Sequence, residues 1–388
     1  MTSGTTRART ALAATGGLLA AFALAAPAAA AAAPAGAAAR CTPSLQVLER
    51  LPVVSEDPHP SPWVRQSQVN ALAEGTGLAV GMSQQYPAYW TGTRVHRLPL
   101  PEGSGSGAVT DVNRHGLMVG YANTPDGSIA FSYRPGDRSV TVLPGGGAPR
   151  SVNDRGVIVG QMWDPARNRT IGMEWQGGRL LRELIPPAGY RLHWLSGINN
   201  AGEVVGYGTG DPASGGPAGV SPALYWPADR GAPASVLSSG VGASEPFRAS
   251  GIDERGRIVG YTWTGPGPQT FETAVAWAAP GAPPSYPPAA TGAVTSTLDG
   301  ISPRTGVAVG LASFPVDPPL PVDRPTAQAQ YLAGGGPMRV LPGLTPTGYT
   351  VAFTATDDDR VGGTALDAQN RPQPVIWTCA SRQAYVRP

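Results

Sequence analysis

A nine-residue pattern recurs along this chain of 388 residues, and it constrains the fold more than any other feature. Its clearest copy is Val152–Gly160, with the sequence VNDRGVIVG. Three further copies keep the same length, namely Val112–Gly120, Ile198–Gly206 and Ile252–Gly260. Two looser copies with a shared one-residue insertion and one degenerate copy complete the set, namely Leu72–Gly81, Ile301–Gly310 and Ala355–Gly363. Self-similarity of this kind predicts seven similar structural units.

Two more markers follow in a fixed order, the first after every copy and the second after most of them. The first is an aromatic residue that ends a short apolar run, and the second is an apolar segment that ends near Leu or Pro. The seven aromatics are Trp90, Tyr133, Trp175, Trp226, Trp277, Tyr331 and Trp377. The glycines that close the seven copies are Gly81, Gly120, Gly160, Gly206, Gly260, Gly310 and Gly363. Each unit therefore predicts four short strands, A to D, with a tight Asn/Asp-to-Gly turn between A and B.

Four strands in each of seven units are typical of a β-propeller. The composition favours the same class, because 52 Gly and 42 Pro are hard to place inside long helices. The hydrophobic fraction of 41% is still enough for a packed core. We predict an all-β chain in which residues 40–388 form one propeller of seven four-stranded blades.

The repeats resemble a known family. The turn segments Asn113–Gly116, Asn153–Gly156 and Asn199–Gly202, together with Ala130–Tyr133 and Ala223–Trp226, are similar to the bacterial extracellular repeat called the HAF family. The similarity covers nearly the whole chain after its first forty residues, although repeats one, six and seven lack the turn Asn. The resemblance implies a secreted, propeller-like protein, and it implies no activity and no catalytic residues.

The two ends of the chain predict how the ring of blades closes. Segment Ser44–Pro52 matches strand D but precedes the first A–B pair, whereas the seventh repeat ends soon after its strand C at Val375–Thr378. We predict that the N-terminal strand completes the seventh blade and that Cys41 and Cys379 form a disulfide. The alternatives are a fourth strand from the tail, Gln383–Arg387, or two buried free thiols.

The first forty residues predict export. Arg7 and Arg9 precede an apolar, Ala-rich stretch with small-residue cleavage options between Ala30 and Ala39. This arrangement predicts a secretory signal over residues 1–39, with a transmembrane anchor as the alternative. Without Arg7 and Arg9 the net charge falls from +2 to zero, which leaves no electrostatic footprint for nucleic acid. We predict a secreted monomer with no membrane span after cleavage and an extracellular protein or glycan as its partner.

Features that recur in every unit predict structural roles. We expect the turn Asn to cap its own loop and the closing Gly to let neighbouring blades approach closely. The marker aromatics are expected to fill the space between sheets. Function is expected where the repeats differ.

The repeats differ most between strands B and C. The longest such connections are Gly208–Ser221, Thr264–Thr273 and Ser313–Gln328. In an up-and-down blade these loops share one face with the D–A crossings, so we predict a binding face there. Trp163, Trp194 and Trp263 are the candidate binding residues, because an exposed aromatic can stack on a sugar or anchor a partner. The competing interpretation is that all three pack beneath their own loops.

Motifs for catalysis or metal binding are scarce in the sequence. The four His residues lack metal-ligand spacing, no nucleophile-elbow or Walker motif occurs, and Thr356–Arg360 departs from the EF-hand pattern. We predict no catalytic residues, no metal and no cofactor. The favoured function is a secreted, non-catalytic binding module. The alternatives are a polysaccharide hydrolase that uses loop carboxylates (Asp126, Asp164, Asp211 and Asp317) and a purely structural envelope protein.

Overall fold

The computed structural model describes residues 41–52, 66–240, 246–264, 271–315, 326–346 and 348–387. These residues form seven four-stranded antiparallel sheets arranged as the blades of a β-propeller. The predicted signal segment 1–39 lies outside them. The only helical elements in the described ranges are a 3-10 turn at Pro212–Ser214 and helix α1 at Ala380–Gln383. None of the described helices is long and apolar enough to cross a membrane.

Blades 1 to 4 each consist of four consecutive strands. Blade 1 contains β2 (Gln68–Leu72), β3 (Leu78–Ser83), β4 (Tyr86–Thr91) and β5 (Arg94–Arg97). Blade 2 contains β6 (Gly107–Val112), β7 (Met118–Thr124), β8 (Gly127–Tyr133) and β9 (Thr141–Leu143). Blade 3 contains β10 (Ala148–Val152), β11 (Val157–Asp164), β12 (Arg169–Gln176) and β13 (Arg179–Leu184). Blade 4 contains β14 (Tyr190–Ile198), β15 (Val204–Gly210), β16 (Ala223–Trp226) and β17 (Ser235–Val236).

Blades 5 and 6 follow the same order, and blade 7 combines both ends of the chain. Blade 5 contains β18 (Phe247–Ile252), β19 (Ile258–Thr264), β20 (Phe271–Trp277) and β21 (Pro284–Ser285). Blade 6 contains β22 (Thr295–Ile301), β23 (Ala308–Phe314), β24 (Thr326–Leu332) and β25 (Arg339–Val340). Blade 7 contains β26 (Thr350–Ala355), β27 (Arg360–Leu366), β28 (Pro372–Thr378) and β1 (Ser44–Val47).

The N-terminal strand β1 is the fourth strand of the seventh sheet. It runs antiparallel to β28, with Ser44 opposite Thr378 and Val47 opposite Val375. The predicted disulfide between Cys41 and Cys379 is present just beyond this pairing, with a Cα–Cα distance of 5.8 Å. It joins positions 338 residues apart in sequence. The first and last strands are therefore joined both by backbone hydrogen bonds and covalently.

The C-terminal tail contacts blade 6 rather than completing blade 7. The Tyr385 N–H donates to the Val340 carbonyl at 3.0 Å, and the Val340 N–H donates back to the Tyr385 carbonyl at 2.9 Å. Close by, the Arg387 guanidinium stacks on the Phe314 ring at 3.8 Å from its centroid. The alternative prediction, in which Gln383–Arg387 is the fourth strand of blade 7, is therefore wrong.

Every innermost strand carries a β-bulge at the same place. The register of strand A shifts by one residue against strand B in all seven blades. We call the extra residues the bulge residues, and they are Asn70, Thr110, Arg150, Ser196, Ser250, Asp299 and Phe353. A bulge leaves its extra residue out of the ladder and bends the strand.

The closing glycines are required by this bulge. A Cβ atom on Gly160 would overlap the Ala148 carbonyl oxygen of its own blade, and one on Gly120 would overlap the Ala108 carbonyl oxygen. In all seven blades the atom so contacted belongs to strand A of the same sheet. The expectation that these glycines let neighbouring blades approach closely is therefore wrong. The close approach occurs within one blade, because the bulge moves a strand A carbonyl over the glycine.

The marker aromatics are buried and link successive blades. All seven have at most 5% of their surface exposed. The Trp175 indole N–H donates to the Pro144 carbonyl at the end of strand D in the preceding blade, at 2.9 Å. Four other tryptophans make the equivalent bond at 2.7–2.8 Å, namely Trp90, Trp226, Trp277 and Trp377. The repeated tryptophans therefore fill the inter-blade space with their polar atom satisfied.

The A–B turns also link neighbouring blades. The Asn153 side-chain oxygen accepts hydrogen bonds from the N–H groups of Arg155 (3.1 Å) and Val157 (3.0 Å), as an Asx-type cap does. Its side-chain NH₂ donates to the Asn199 carbonyl in the next blade at 3.0 Å. Asn113 and Asn199 make the same two kinds of contact. The expected capping role is thus accompanied by an inter-blade role.

Candidate functional site

A cavity of about 660 Å³ lies where the innermost strands of all seven blades meet, and we call it the channel. Its wall includes six of the seven bulge residues, namely Asn70, Thr110, Arg150, Ser196, Asp299 and Phe353. The bulge recurs in every blade, but the residue type at the bulge does not. The repeated backbone therefore presents a different side chain to the channel from each of these blades.

The channel has two ends with different construction. The A–B end is formed by the A–B turns, which follow the bulge in each innermost strand. The B–C end lies towards the beginning of the innermost strands, where strand B runs into the B–C loop. The cavity extends from the bulge residues to the A–B turns, and it includes turn residues of all seven blades.

Carboxylates at the A–B end accept hydrogen bonds from neighbouring turns. The Asp154 carboxylate accepts from the Arg114 N–H at 3.1 Å, and the Glu254 carboxylate accepts from the Asn200 N–H at 3.1 Å. Two further acceptors act in the same way, namely Asp357 from the Arg304 N–H at 2.9 Å and Glu74 from the Asp357 N–H at 2.9 Å. Burial raises the pKa of Glu74 to about 7. These carboxylates connect neighbouring blades by hydrogen bonds, so the side chains at this end mainly stabilise the ring of blades.

The acidic turn Thr356–Arg360 belongs to the A–B end. The Asp358 carboxylate accepts from the Arg360 guanidinium at 2.9 Å, and the Asp359 carboxylate accepts from the Ser381 hydroxyl at 2.6 Å. Among the described residues no group of three or more His, Cys, Asp or Glu side chains is placed to hold a metal ion.

Two carboxyl groups lie deeper in the channel. Asp299 accepts a hydrogen bond from the Thr297 hydroxyl at 2.9 Å, and burial raises its pKa to about 7. Asp111 accepts from the Ser151 hydroxyl at 2.7 Å and from the Val152 N–H at 2.8 Å. Burial raises the pKa of Asp111 to about 6 despite these bonds. Loss of hydration disfavours the charged form, so both groups take up protons more readily than an exposed Asp does.

Arg150 is three blades away from Asp299 in the ring. Its guanidinium stacks on the Trp194 ring of the next blade, 3.4 Å from the ring centroid. Burial lowers the pKa of Arg150 to about 10. In the part of the chain that the structure describes, its Nε atom has no hydrogen-bond partner, and no carboxylate lies within 4 Å of the group. Arg150 is therefore a largely buried cation without a counter-ion.

A second arginine, Arg248, lies on the other side of blade 4. Its guanidinium is 4.6 Å from the Tyr207 ring centroid and 4.4 Å from that of Trp263. It also donates to the Tyr261 hydroxyl at 3.0 Å. The positive charge of Arg248 lowers the pKa of Glu272, but burial outweighs it and keeps that pKa raised. We name Arg150, Trp194, Tyr207, Arg248, Tyr261 and Trp263 the channel cluster. Of these six, Arg150 lines the cavity, and the others continue from it towards the B–C loops.

The pairing of strands joins the two arginine groups. Trp194 of β14 lies opposite Tyr207 of β15, and Arg248 of β18 lies opposite Tyr261 of β19. Trp194 and Arg248 each come two residues before the bulge of their strand, so the cluster lies towards the B–C end. The structure thus brings two of the three candidate tryptophans, Trp194 and Trp263, into one cluster.

The third candidate, Trp163, lies apart from the cluster. It is on β11 opposite Thr170, and 57% of its side chain is exposed. Packing beneath its own loop, the competing interpretation, is therefore wrong for Trp163. Trp194 and Trp263 are half-buried, each against an arginine.

The longest B–C connections are in the blades next to the cluster. They are residues 211–222 in blade 4, 265–270 in blade 5 and 315–325 in blade 6, compared with 84–85 in blade 1. Residues 265–270 and most of 315–325 lie outside the described residues. The blade 4 connection is anchored by an ion pair between Arg191 and Asp211, whose N–O distance is 2.9 Å.

The loop carboxylates named in the sequence are not gathered in one place. Asp211 pairs with Arg191, and Asp164 pairs with Arg167 at 3.3 Å. Asp126 is exposed in the tight B–C turn of blade 2, and Asp317 lies outside the described residues. The deep acidic groups that the channel does contain are Asp111 and Asp299, which are not in B–C loops.

Sequence reasoning missed Arg150, Arg248 and Asp299. A usable signal existed for Arg150, because it lies three residues before the turn Asn of its repeat, where the neighbouring repeats have Thr110 and Ser196. A large cation at a position that small polar residues fill in the two neighbouring repeats marks a difference between repeats. The bulge that directs this position into the channel was not visible in the sequence.

Comparison with known proteins supports the fold alone. No family model and no curated protein sequence matches the chain. Among solved structures it is similar to a prolyl endopeptidase (13% identity, TM-score 0.52), with 80% of this chain and 48% of that chain covered. It is also similar to TolB from Acinetobacter baumannii (9% identity, TM-score 0.42), with 70% of this chain and 65% of that chain covered. A Penicillium chrysogenum alpha-L-arabinanase complexed with arabinobiose is similar at 9% identity and a TM-score of 0.42, with 70% of this chain and 92% of that chain covered.

This chain therefore spans about half the length of the prolyl endopeptidase and 65% of that of TolB. At 13% identity and below, such similarity concerns the fold alone and carries no activity over to this chain.

Proposed function

We propose that this protein is a secreted, non-catalytic binding module that holds its ligand at the B–C end of the channel. The observation that carries the proposal is the channel cluster, in which two arginines and four aromatic residues come from blades 3, 4 and 5 alone. Blades 4 and 5 also have two of the long B–C connections.

The contrast between repeated and unrepeated residues supports this placement. Residues that recur in several blades, such as Trp175 and Asn153, make the same inter-blade hydrogen bonds in each of those blades. Members of the cluster have no counterpart in most other blades, so the construction of a blade does not account for them. Aromatic rings with arginines beside them offer flat area and donors, which suits recognition of a sugar or of a partner's side chain.

Export is part of the proposal. The disulfide between Cys41 and Cys379 suits an oxidising compartment, and the segment 1–39 has the sequence of a secretory signal. Membership of the HAF repeat family, a monomeric state and the absence of a nucleic-acid partner remain predictions from the sequence.

A binding screen tests the proposal. The secreted form is applied to arrays of extracellular glycans and to isolated cell-envelope proteins, alongside Trp263→Ala. Leu180→Ala is the matched control, because it also truncates a hydrophobic side chain but on the outer strand β13, where 44% of Leu180 is exposed. Binding that Trp263→Ala abolishes and Leu180→Ala keeps is expected. Absence of any ligand on both arrays, or binding that both variants keep, would contradict the proposal.

One observation favours the hydrolase as a second candidate. The pKa of Asp299 is about 7, which suits a general acid near neutral pH, and Glu272 is close enough for its charge to contribute to that shift. Incubation with oligosaccharides followed by mass spectrometry tests this candidate. Products that disappear in Asp299→Asn and persist in Asp126→Asn would favour hydrolysis, whereas intact oligosaccharides with every form would exclude it for those substrates.

A further inference from the structure

Arg150 is in an unfavourable state in the free protein. Its guanidinium is largely removed from water, and no carboxylate among the described residues lies within ion-pair distance of it. The Tyr121 and Tyr207 hydroxyl groups are close enough to affect its pKa, which they raise slightly against the effect of burial. A buried cation without a partner is destabilising, and its Nε–H is still free to donate. An anionic group on a ligand would supply both the missing charge and the missing acceptor.

Arg248 is a second cation in the same cluster. Trp194 and Tyr207 lie between the two arginines, since Arg150 covers the ring of Trp194 and Arg248 covers the ring of Tyr207. Arg248 already donates to the Tyr261 hydroxyl and is near Glu272, so it is less in need of an anion than Arg150. Arg150 is thus the stronger anion site, and Arg248 adds positive charge beside it.

The wall of the channel also offers hydroxyl-binding groups, namely the Asn70 amide and the Asp299 carboxyl, besides the A–B turn cations Arg114 and Arg304. Gln66, Gln68 and Asn70 form a chain of side-chain amides on blade 1, with hydrogen bonds of 2.7 Å between successive members. Asp299 on blade 6 accepts from the Thr297 hydroxyl and retains further acceptor capacity. Amides and a carboxyl group opposite a cation and aromatic rings match a ligand that carries one anionic group and several hydroxyls.

We propose that the ligand is a carboxylated sugar chain, with the carboxylate of one uronic acid residue bound to the guanidinium of Arg150. This inference rests on the proposed binding function and names the chemical class of its ligand. A guanidinium binds a carboxylate through parallel N–H donors, and the neighbouring aromatic rings can pack against the apolar face of a sugar. Other anionic groups, such as phosphate or sulfate, are outcomes that the test separates.

Calorimetric titration tests the inference. The intact secreted protein is titrated with trimers of galacturonate, glucuronate and mannuronate, and with the neutral methyl ester of each. At least one acid trimer is expected to bind, and its ester to bind at least about tenfold more weakly, because the ester removes the charge and keeps the sugar. Equal binding of acid and ester would overturn the carboxylate assignment and leave a glycan-binding function standing.

Variants locate the anion site. Arg150→Gln is expected to lose binding of the acid trimer by about tenfold or more, with a melting temperature no lower than that of the unchanged protein. Arg97→Gln is the matched control, since Arg97 also stacks on an aromatic ring, 4.6 Å from the centroid of Tyr86, but on the outer strand of blade 1. Retained acid binding in Arg150→Gln would overturn the assignment of Arg150.

Two further outcomes separate this inference from the proposed function. If no trimer binds, but a phosphorylated or sulfated glycan binds and requires Arg150, the assignment of a carboxylate as the anionic group is wrong. The assignment of Arg150 as the anion-binding residue is then confirmed. If no glycan of any charge binds while an envelope protein binds in the array screen, the ligand is not a sugar chain. The proposed binding function is then retained.

Discussion

The A–B and B–C ends of the channel are built from the same seven strands but by different rules. At the A–B end, side chains such as Asn153 and Asp154 are hydrogen-bonded to the turn of a neighbouring blade. At the B–C end, Arg150 and Arg248 contact aromatic rings and lack ion-pair partners among the described residues. The first end repeats from blade to blade, and the second does not. Residues that recur therefore hold the ring together, whereas the unrepeated ones are available for a ligand.

Removal of the disulfide is expected to have the largest effect on stability. It joins β1 to the end of β28 on the A–B side and closes a loop of more than 300 residues. The double change Cys41→Ser with Cys379→Ser is expected to lower the free energy of unfolding by about 4–5 kcal/mol, because the unfolded chain gains freedom. Urea unfolding measures this loss. The folded variant should still bind ligand at low temperature, because the disulfide lies on the A–B side and the channel cluster lies towards the B–C end. A ligand-binding defect in this variant would contradict the separation of the two ends.

Substitution of a closing glycine is the next largest effect. Gly160→Ala places a methyl group against the Ala148 carbonyl and is expected to cost about 3 kcal/mol, since backbone must move. Gly281→Ala is the control, because a Cβ there meets no atom within 4 Å. Thermal unfolding that ranks the two variants equally would contradict the role assigned to the bulge.

Loss of a turn cap should also affect stability more than binding. Asn153→Ala removes the acceptor of two backbone N–H groups and one inter-blade hydrogen bond. A decrease of about 2 kcal/mol in the free energy of unfolding is expected. Calorimetric titration with any ligand found should give an unchanged affinity below the unfolding temperature. A large loss of affinity instead would show that the two ends are not separate in function.

The channel carboxyls predict an unusual pH dependence of stability. Burial raises the folded-state pKa of Glu74 and Asp299 to about 7 and that of Asp111 to about 6. The folded protein therefore binds more protons than the unfolded chain between about pH 4 and 7, and stability should fall as the pH rises through this range. Asp299→Asn should flatten the decline by up to about 4 kcal/mol in unfolding experiments, since one pKa unit corresponds to about 1.4 kcal/mol. Stability that rises between pH 4 and 7 would argue against buried, protonated carboxyls.

An exposed aromatic at the B–C end should have the smallest effect on folding. Trp163 is 57% exposed, so Trp163→Ala is expected to change the free energy of unfolding by less than about 0.5 kcal/mol. Trp263→Ala should cost more, about 1–2 kcal/mol, because the Trp263 ring contacts both Arg248 and Tyr261. Guanidinium titrations of both variants check this order.

The sequence predicted the repeated parts of the molecule well, for a physical reason. The spacing of the closing glycines and marker aromatics reflects strands and turns that every blade needs, so seven four-stranded blades and the pairing of Cys41 with Cys379 were accessible from it. The role of Gly160 could not be predicted from the sequence, because its close contact with the Ala148 carbonyl depends on a bulge in strand A that no residue type indicates. Arg150 was missed for the same reason, since only the bulge directs it into the channel.

The melting temperature of Arg150→Met tests most directly the claim that unrepeated residues at the B–C end serve binding rather than folding. Arg150 is a largely buried cation without a counter-ion in the described structure. Its replacement by an apolar side chain of similar length should therefore leave the melting temperature unchanged or raise it by about 2 °C or more. A decrease of several degrees would show that Arg150 stabilises the fold, and it would contradict the division between the two ends of the channel.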